Sequence, residues 1–205
     1  YAVYQKFTDK AFYFGHPLVD RVQNFQPNPE LIKSLALDKT KRVVSIFPGS
    51  RLQEIKALLP IMLDAAKILM ENHNMEILLP ISHPSYSDTI CMMVDKAGMT
   101  DKIKVFEKNS YTAMTLSDAV ILSSGTATLE SVLFGKPPVI CYKISPLSFF
   151  IGKMLVKKPI IGLPNILLDR IAFPELLQKD CNVEKIVETT LGYLSDPKTS
   201  EMELV

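Results

Sequence analysis

The chain has 205 residues, 47% of them hydrophobic, which is enough apolar surface for one sizeable buried core. Its 23 basic and 22 acidic residues leave a formal charge of +1, which argues against nucleic-acid binding because that function needs a strongly basic face. The three cysteines and three histidines are scattered and no Asp-x-Asp pair occurs, so we expect no disulfide framework, no metal site and a reducing compartment.

Residues 1–40 differ in composition from the rest of the chain. They begin at Tyr1, without the charged and apolar regions of a signal peptide. Residues 12–37 are rich in proline and are typical of a strand end, a loop and a short helix, as in segments that join domains. We therefore predict a linker and the tail of a missing N-terminal domain in residues 1–40, a second domain in residues 41–195 and a truncated C-terminal segment in residues 196–205.

Short β-branched runs alternate with helical patterns beyond residue 40. The predicted strands are residues 42–47, 75–81, 103–106, 118–124 and 137–142. The predicted helices are residues 52–72, 86–97, 127–134 and 183–194, with a short one near Tyr111. Such alternation, with strands that are apolar on both sides, predicts an α/β fold whose Rossmann-like parallel sheet has helices on both faces.

The first long helix has one apolar stripe at three- and four-residue steps, which predicts the face that packs on the sheet. The stripe consists of Ile55, Leu58, Leu59, Met62, Ala66, Leu69 and Met70. Pro60 lies inside this helix and is expected either to kink it or to mark a short first turn, because proline lacks the backbone N–H group.

Ligands of an open parallel sheet bind at loops that follow the carboxyl ends of its strands. The first such loop lies within residues 47–54, FPGSRLQE. Here Gly49 lets the backbone approach a ligand, Ser50 can cap the helix, and Arg51 can bind a phosphate with its planar fork of donors. An arginine at a helix start is unfavourable for the helix dipole unless an anion binds there. The alternative is a plain turn and N-cap with a solvated Arg51.

The second loop, within residues 122–140, joins a strand to a helix through small residues. Gly125, Thr126 and Thr128 offer amides and hydroxyls at the helix start, where anions bind. Glu130 is placed to accept hydrogen bonds from two ribose hydroxyls, although it could equally compensate the helix dipole. The two loops together predict a site for a nucleoside diphosphate.

Four segments carry a resemblance to a known family, and they occur in order over nearly the whole chain. They are GHPLVD (residues 15–20), FPGSRLQEI (residues 47–55), SGTATLESVLFGKPPVICYKISPLSFFIGKMLVK (residues 124–157) and LPNILLDRIAFPELLQ (residues 163–178). Together they resemble lipid-A-disaccharide synthases, which are glycosyltransferases of the GT-B type. The resemblance implies a two-domain enzyme, of which this chain looks like the C-terminal, UDP-binding half.

The resemblance also implies which residues act, by their position in the matching motifs. The implied UDP-binding residues are Gly49, Ser50, Arg51, Gly125, Thr126, Thr128 and Glu130. The implied catalytic residues are Arg51, Asn165 and Gln178, with Asn165 and Gln178 expected at the cleft that faces the missing half.

The implied reaction is an inverting transfer of 2,3-diacylglucosamine from its UDP donor to 2,3-diacylglucosamine 1-phosphate, a lipid acceptor, with release of UDP. Arg51 and helix-start amides would stabilise the departing diphosphate, so we expect no metal and no cofactor. The catalytic base would belong to the missing N-terminal domain. The resemblance further implies a cytoplasmic enzyme associated peripherally with the inner-membrane surface, with no nucleic-acid partner, and it leaves a homodimer open.

Several alternatives stay open in the sequence. The same fold serves other UDP-sugar enzymes, such as a UDP-N-acetylglucosamine 2-epimerase or a peptidoglycan-precursor glycosyltransferase, and a non-catalytic nucleotide-sugar binding module is also compatible. Residues 145–158 could lie at a membrane surface or form a buried helix whose lysines reach outward. We expect His16 to have a structural role at the domain junction, and His83, at a strand end, could face a ligand.

Overall fold

The computed structural model describes residues 15–144 and 160–195, together with residues 6–8, 10 and 12. Six strands in these residues form one sheet, in which every neighbouring pair is parallel. They are β1 (Val43–Phe47), β2 (Glu76–Ile81), β3 (Lys104–Glu107), β4 (Ala119–Ser123), β5 (Pro138–Tyr142) and β6 (Glu175–Leu177). The predicted α/β class with a parallel sheet is confirmed.

The described residues also form eight α-helices and two short 3₁₀ turns, the latter at Pro84–Tyr86 and Gln178–Asp180. The α-helices are α1 (Pro17–Gln23), α2 (Pro29–Leu35), α3 (Leu52–His73), α4 (Ser87–Lys96), α5 (Ser110–Leu116), α6 (Thr126–Leu133), α7 (Leu163–Leu168) and α8 (Val183–Ser195). The strands and long helices predicted from the pattern of the sequence each lie within about one residue of these bounds.

The sequence pattern did not predict some of the short elements. Strand β6 has three residues and helix α7 has six, too few to show a period. Residues 17–35 were expected to hold a loop and one short helix, but they hold two helices. Pro17 and Pro29 open these helices because a proline's missing N–H group is not needed at a helix start, while His16 and Asn28 cap them through their side chains.

The N-terminal helices pack against the sheet domain. The ring of Phe25 lies edge-on to Tyr111 and Phe134, at centroid distances of 5.3 and 5.8 Å. Leu35 of α2 is buried in the core beneath the sheet. His16 accepts a hydrogen bond from the Leu18 backbone N–H at 3.2 Å, so it has a structural role as a helix cap. The place of His16 at a domain junction, and the linker role of residues 1–40, stay predictions.

The sheet has a hydrophobic core on each face. Helices α3, α4 and α8 cover one face, and α2 and α5 pack on the other. In the predicted stripe of α3 every residue but one is buried, Met70 being partly buried. Helix α3 continues through Pro60 to His73, so Pro60 does not mark a separate first turn. Burial of the stripe on both sides of Pro60 outweighs the loss of one backbone hydrogen bond.

The order of the strands in space is β3-β2-β1-β4-β5-β6. The chain runs outward from β1 through β2 to one edge, and then from β4 through β5 to the other edge. The loops that follow β1 and β4 therefore lead away from each other, and they leave a crevice at the carboxyl ends of the two central strands. Ligands bind at such a crevice in open parallel sheets.

Two expectations fall outside the described residues. One concerns residues 145–158, which were expected either to lie at a membrane surface or to form a buried helix. The other is the truncated segment predicted at residues 196–205. Within the described ranges, each helix is either too short or too polar to cross a lipid bilayer.

Candidate functional site

The crevice between β1 and β4 holds a cavity of about 500 Å³. The loop after β1 and the start of α6 line it from opposite sides. Of the predicted UDP-binding residues, it is lined by Gly49, Ser50, Arg51, Gly125, Thr126 and Glu130. The tertiary structure thus brings together the two loops that the sequence singled out.

The first loop is organised around the carboxylate of Glu54. Arg51 donates a hydrogen bond from Nη1 to Glu54 Oε1 at 2.6 Å, and the Ser50 backbone N–H donates to Glu54 Oε2 at 3.2 Å. The residue at the N-cap of α3 is Arg51, and its side chain makes no capping hydrogen bond. The prediction that Ser50 caps this helix is therefore wrong, because Arg51 holds the N-cap position and Ser50 lies one residue before it, where its backbone N–H donates to Glu54.

Arg51 is exposed to solvent over 78% of its side chain, whereas Glu54 is exposed over 23%. The hydrogen bond that Arg51 donates to Glu54 raises the pKa of the Arg51 guanidinium above its already high ordinary value, and the negative charge of Glu54 adds to the rise. Arg51 is consequently a permanent cation at the mouth of the crevice. Its fork of five N–H donors keeps further donors for an anionic ligand.

Gly49 has a φ angle of +129°, a backbone conformation that residues with a side chain rarely adopt. A Cβ atom there would lie 2.5 Å from Glu54 Oε2 and 2.7 Å from Glu54 Cβ. We expect Gly49→Ala to lower the free energy of unfolding by about 1–3 kcal/mol, measured by urea titration, through backbone strain and displacement of Glu54.

Gly98→Ala is the matched control for this substitution. Gly98 also has positive φ, at +67°, but no atom lies within 4 Å of the added Cβ. We expect a loss of about 1 kcal/mol there from backbone strain alone. Equal losses at Gly49 and Gly98 would mean that contact with Glu54 contributes nothing.

The second loop presents the start of α6 to the cavity. Gly125 is the N-cap in an extended conformation, and Thr126 follows it as the first helical residue. Thr128, however, is fully buried and donates its hydroxyl to the Gly125 carbonyl oxygen at 2.7 Å. Thr128 does not line the cavity, so its predicted contact with UDP is not supported: it holds the loop in place instead.

Glu130 lies on the cavity side of α6 and is partly exposed. Its Oε1 accepts a hydrogen bond from the Tyr111 hydroxyl at 2.7 Å. Burial raises the pKa of Tyr111, and the bond to Glu130 adds to the rise, so Tyr111 stays a donor at neutral pH. Tyr111 thereby holds one carboxylate oxygen of Glu130 in place beside the cavity.

The sequence did not single out several polar residues of the crevice. Ser82 follows β2 and donates its hydroxyl to the Gly49 carbonyl oxygen at 3.3 Å. Ser124 follows β4 and donates to the Ile161 carbonyl oxygen at 2.8 Å. Both lie at carboxyl ends of predicted strands, and that position was the signal that could have found them.

A second cavity of about 960 Å³ adjoins the first on the side of α3. It shares Arg51 and Glu54 with the first cavity, and it is also lined by Tyr142 and Lys143 at the carboxyl end of β5. Lys143 therefore places a second basic side chain at the same edge of the sheet. Lys143 lies in one of the four segments that carry the family resemblance, but no role was predicted for it.

His83 does not line either of these two cavities. Its Nδ1 lies 2.8 Å from Ser85 Oγ and accepts the Ser85 backbone N–H at 3.3 Å. Its side chain therefore caps the turn at Pro84–Tyr86 rather than facing the crevice. In the part of the chain that is described, no three His, Cys, Asp or Glu side chains group together to hold a metal ion.

A family model described as lipid-A-disaccharide synthetase matches residues 1–204. The chain belongs to the lipid-A-disaccharide synthetase family. A relative named lipid-A-disaccharide synthase, from Persephonella marina, is 36% identical over 97% of this chain and 54% of its own length. The chain spans about half the length of the curated relatives that it matches.

Solved structures that are similar to this member of the synthetase family show its fold. The Escherichia coli ADP-heptose heptosyltransferase II superposes with a TM-score of 0.58 at 9% identity, over 90% of this chain and 53% of that one. A UDP-GlcNAc 2-epimerase from Methanocaldococcus jannaschii, solved with UDP-GlcNAc and UDP, gives 0.58 at 14% identity, over 96% and 51%. These likenesses show the GT-B type of nucleotide-binding fold alone, and family membership argues against the epimerase alternative.

Asn165, in the LPNIL segment, is fully buried and is not at the cleft. Its Nδ2 donates to the Phe173 carbonyl oxygen and to Glu175 Oε1, each at 2.8 Å. Its Oδ1 accepts the backbone N–H groups of Ala172 and Phe173, each at 2.9 Å. All four hydrogen-bonding positions are therefore used within the fold, and the predicted catalytic role of Asn165 is corrected to a structural one.

Gln178 lies at the carboxyl end of β6, on the same edge of the sheet as the crevice but two strands from β4. It has positive φ, at +50°, and its Nε2 atom is buried without a hydrogen-bond partner among the described residues. It lines neither of the two cavities at the crevice. Its catalytic role stays a prediction.

Proposed function

We propose that this chain is the donor-binding half of a lipid-A-disaccharide synthase. The complete enzyme would transfer 2,3-diacylglucosamine from its UDP donor to 2,3-diacylglucosamine 1-phosphate and release UDP. Support comes from membership of the family and from the relatives, which carry the synthase name and are about twice as long. The acceptor site and the catalytic base are assigned to the N-terminal half of such a protein.

The observation that carries the proposal is the convergence of the two loops on one cavity. The diphosphate would lie between Arg51 and the first turn of α6, because Arg51, Gly125 and Thr126 line this cavity and helix starts bind anions. Glu130, also on α6, would then accept hydrogen bonds from the ribose hydroxyls. Gly49 and Gly125 line the same cavity and let the ligand come close to the backbone.

Charge builds up on the diphosphate as UDP leaves, and the described residues suit that step. Arg51 is a permanent cation, and the helix-start amides are oriented before the reaction begins. Interactions that strengthen as the leaving group gains charge lower the barrier more than they tighten donor binding. The lipid acceptor hydroxyl would attack the anomeric carbon from the opposite face, which inverts its configuration.

The proposed substrates carry acyl chains, and we therefore place the enzyme in the cytoplasm at the inner-membrane surface. An apolar patch next to the crevice suits this location. It consists of the exposed residues Ile166, Leu167, Leu168 and Ile171 and follows Leu163, which lines the cavity. Exposed apolar side chains of this kind favour contact with lipid or with the other half of the enzyme.

The UDP site is tested by calorimetric titration of the chain with UDP and with 2′,3′-dideoxy-UDP. We expect metal-independent binding of UDP, and we expect Glu130→Gln to weaken it about tenfold because a charged hydrogen-bond acceptor is lost. The dideoxy nucleotide should bind the wild type and Glu130→Gln equally. An equal loss for both nucleotides would show that Glu130 does not hold the ribose.

Catalysis is tested separately from binding. The chain joined to the N-terminal half of a relative should form the disaccharide from the UDP donor and the acceptor. Mass spectrometry of the lipid product measures this reaction. Tight UDP binding without turnover in the joined protein would instead favour the non-catalytic nucleotide-sugar binding module.

A further inference from the structure

An internal carboxylate occupies donors that the proposed diphosphate needs. Glu54 accepts hydrogen bonds from Ser50 N–H and Arg51 Nη1, which are the phosphate-binding groups of the first loop. Glu54 lies at the start of α3, where the helix dipole favours a negative charge. The unfavourable placement of Arg51 at this helix start is thus already compensated by a residue of the chain itself.

The contact between Arg51 and Glu54 can be exchanged without disturbing the core. Arg51 is 78% exposed, so its guanidinium can change partner by side-chain rotation alone. Glu54 lines both cavities, and the second one also holds Lys143. A carboxylate that leaves Arg51 toward the second cavity therefore stays close to another basic side chain.

We propose that Glu54 is an internal counter-anion, which a nucleoside diphosphate displaces from Ser50 and Arg51 when it binds. This role rests on the proposed UDP site. A ligand must replace the negative charge of Glu54 at these donors before it gains their full interaction. A diphosphate supplies more charge and more acceptor oxygens than a monophosphate, and it displaces the carboxylate more readily.

The test is a titration of wild type and Glu54→Gln with UDP and with UMP. Glutamine has the shape of glutamate and keeps one acceptor oxygen for the Ser50 N–H, but it removes the competing charge. We expect Glu54→Gln to bind UDP about tenfold more tightly than the wild type, as follows from removing one unit charge near a multiply charged ligand. UMP binding should also tighten, but by a smaller factor, because UMP carries less negative charge than UDP.

Asp64→Asn is the matched control, because it removes the same charge from the same helix. Asp64 is exposed and lies ten residues further along α3, about 15 Å along the helix axis. Asp64→Asn should leave the affinities for UDP and for UMP unchanged. In Arg51→Ala, the addition of Glu54→Gln should tighten UDP binding by a clearly smaller factor, because only the exchange at the Ser50 N–H remains.

The outcomes separate this role from the proposed function. Weaker or unchanged UDP binding in Glu54→Gln, with the wild type binding UDP, would overturn the counter-anion role alone and make Glu54 a support for Arg51. A gain of the same size without Arg51 would overturn the exchange at Arg51. Binding of UDP by neither protein, both shown to be folded by circular dichroism, would overturn the UDP site and the counter-anion role together.

Discussion

Asn165→Ala is expected to lower the free energy of unfolding by about 3–5 kcal/mol, the largest stability effect among the predicted site residues. The substitution removes four hydrogen bonds at a fully buried position. It leaves the buried Phe173 backbone N–H without the Asn165 oxygen that it donates to, and burial without a partner is costly. The Ala172 N–H and the Glu175 carboxylate each lose one partner and keep others. Urea-induced unfolding followed by circular dichroism measures the effect.

Asn24→Ala is the control for this substitution. Asn24 is exposed, and its side chain donates one hydrogen bond, to the Asp20 carbonyl oxygen at 2.7 Å. Its loss should cost less than about 1 kcal/mol. If Asn165→Ala kept its stability and lost only turnover in the joined protein, Asn165 would be catalytic as the family resemblance implied, and the structural role would be wrong.

Arg51→Ala is expected to weaken UDP binding roughly 10- to 100-fold, the largest effect on binding among single substitutions at the site. The physical reason is the loss of charge-assisted hydrogen bonds to the diphosphate. Arg51→Lys should recover only part of the affinity, because an ammonium group lacks the planar fork of donors. Calorimetric titration with UDP and with uridine measures the effect, and uridine should bind both proteins equally.

Arg42→Ala provides the matched change of charge. Arg42 lies just before β1, at the opposite end of that strand from Arg51, and pairs with Asp118 at 2.7 Å on the surface. It should leave UDP binding unchanged and cost at most about 1 kcal/mol of stability. A similar loss of UDP affinity in both variants would mean that net charge, rather than a contact of Arg51, attracts the nucleotide.

The sequence by itself determined the fold class, the order of the main elements and the two loops of the site. Periodicity is a local property, so the stripe of α3 and the doubly apolar strands were readable without any knowledge of the contacts. The carboxyl-end rule then placed Gly49, Arg51 and Glu130 near one another. Short elements such as β6 carry no period, and only the tertiary structure revealed them.

Only the tertiary structure decided what each polar side chain of the site does. Thr128 and Asn165 looked like ligand-facing residues, but both turn inward, because backbone groups that folding buries needed partners. Glu54 looked like an ordinary residue of a first helical turn, and it proved to be the partner of Arg51. These hydrogen bonds join residues three to eight positions apart, but they depend on the backbone conformation of each loop and on which groups folding buries. The pattern of apolar and polar residues along the chain records neither.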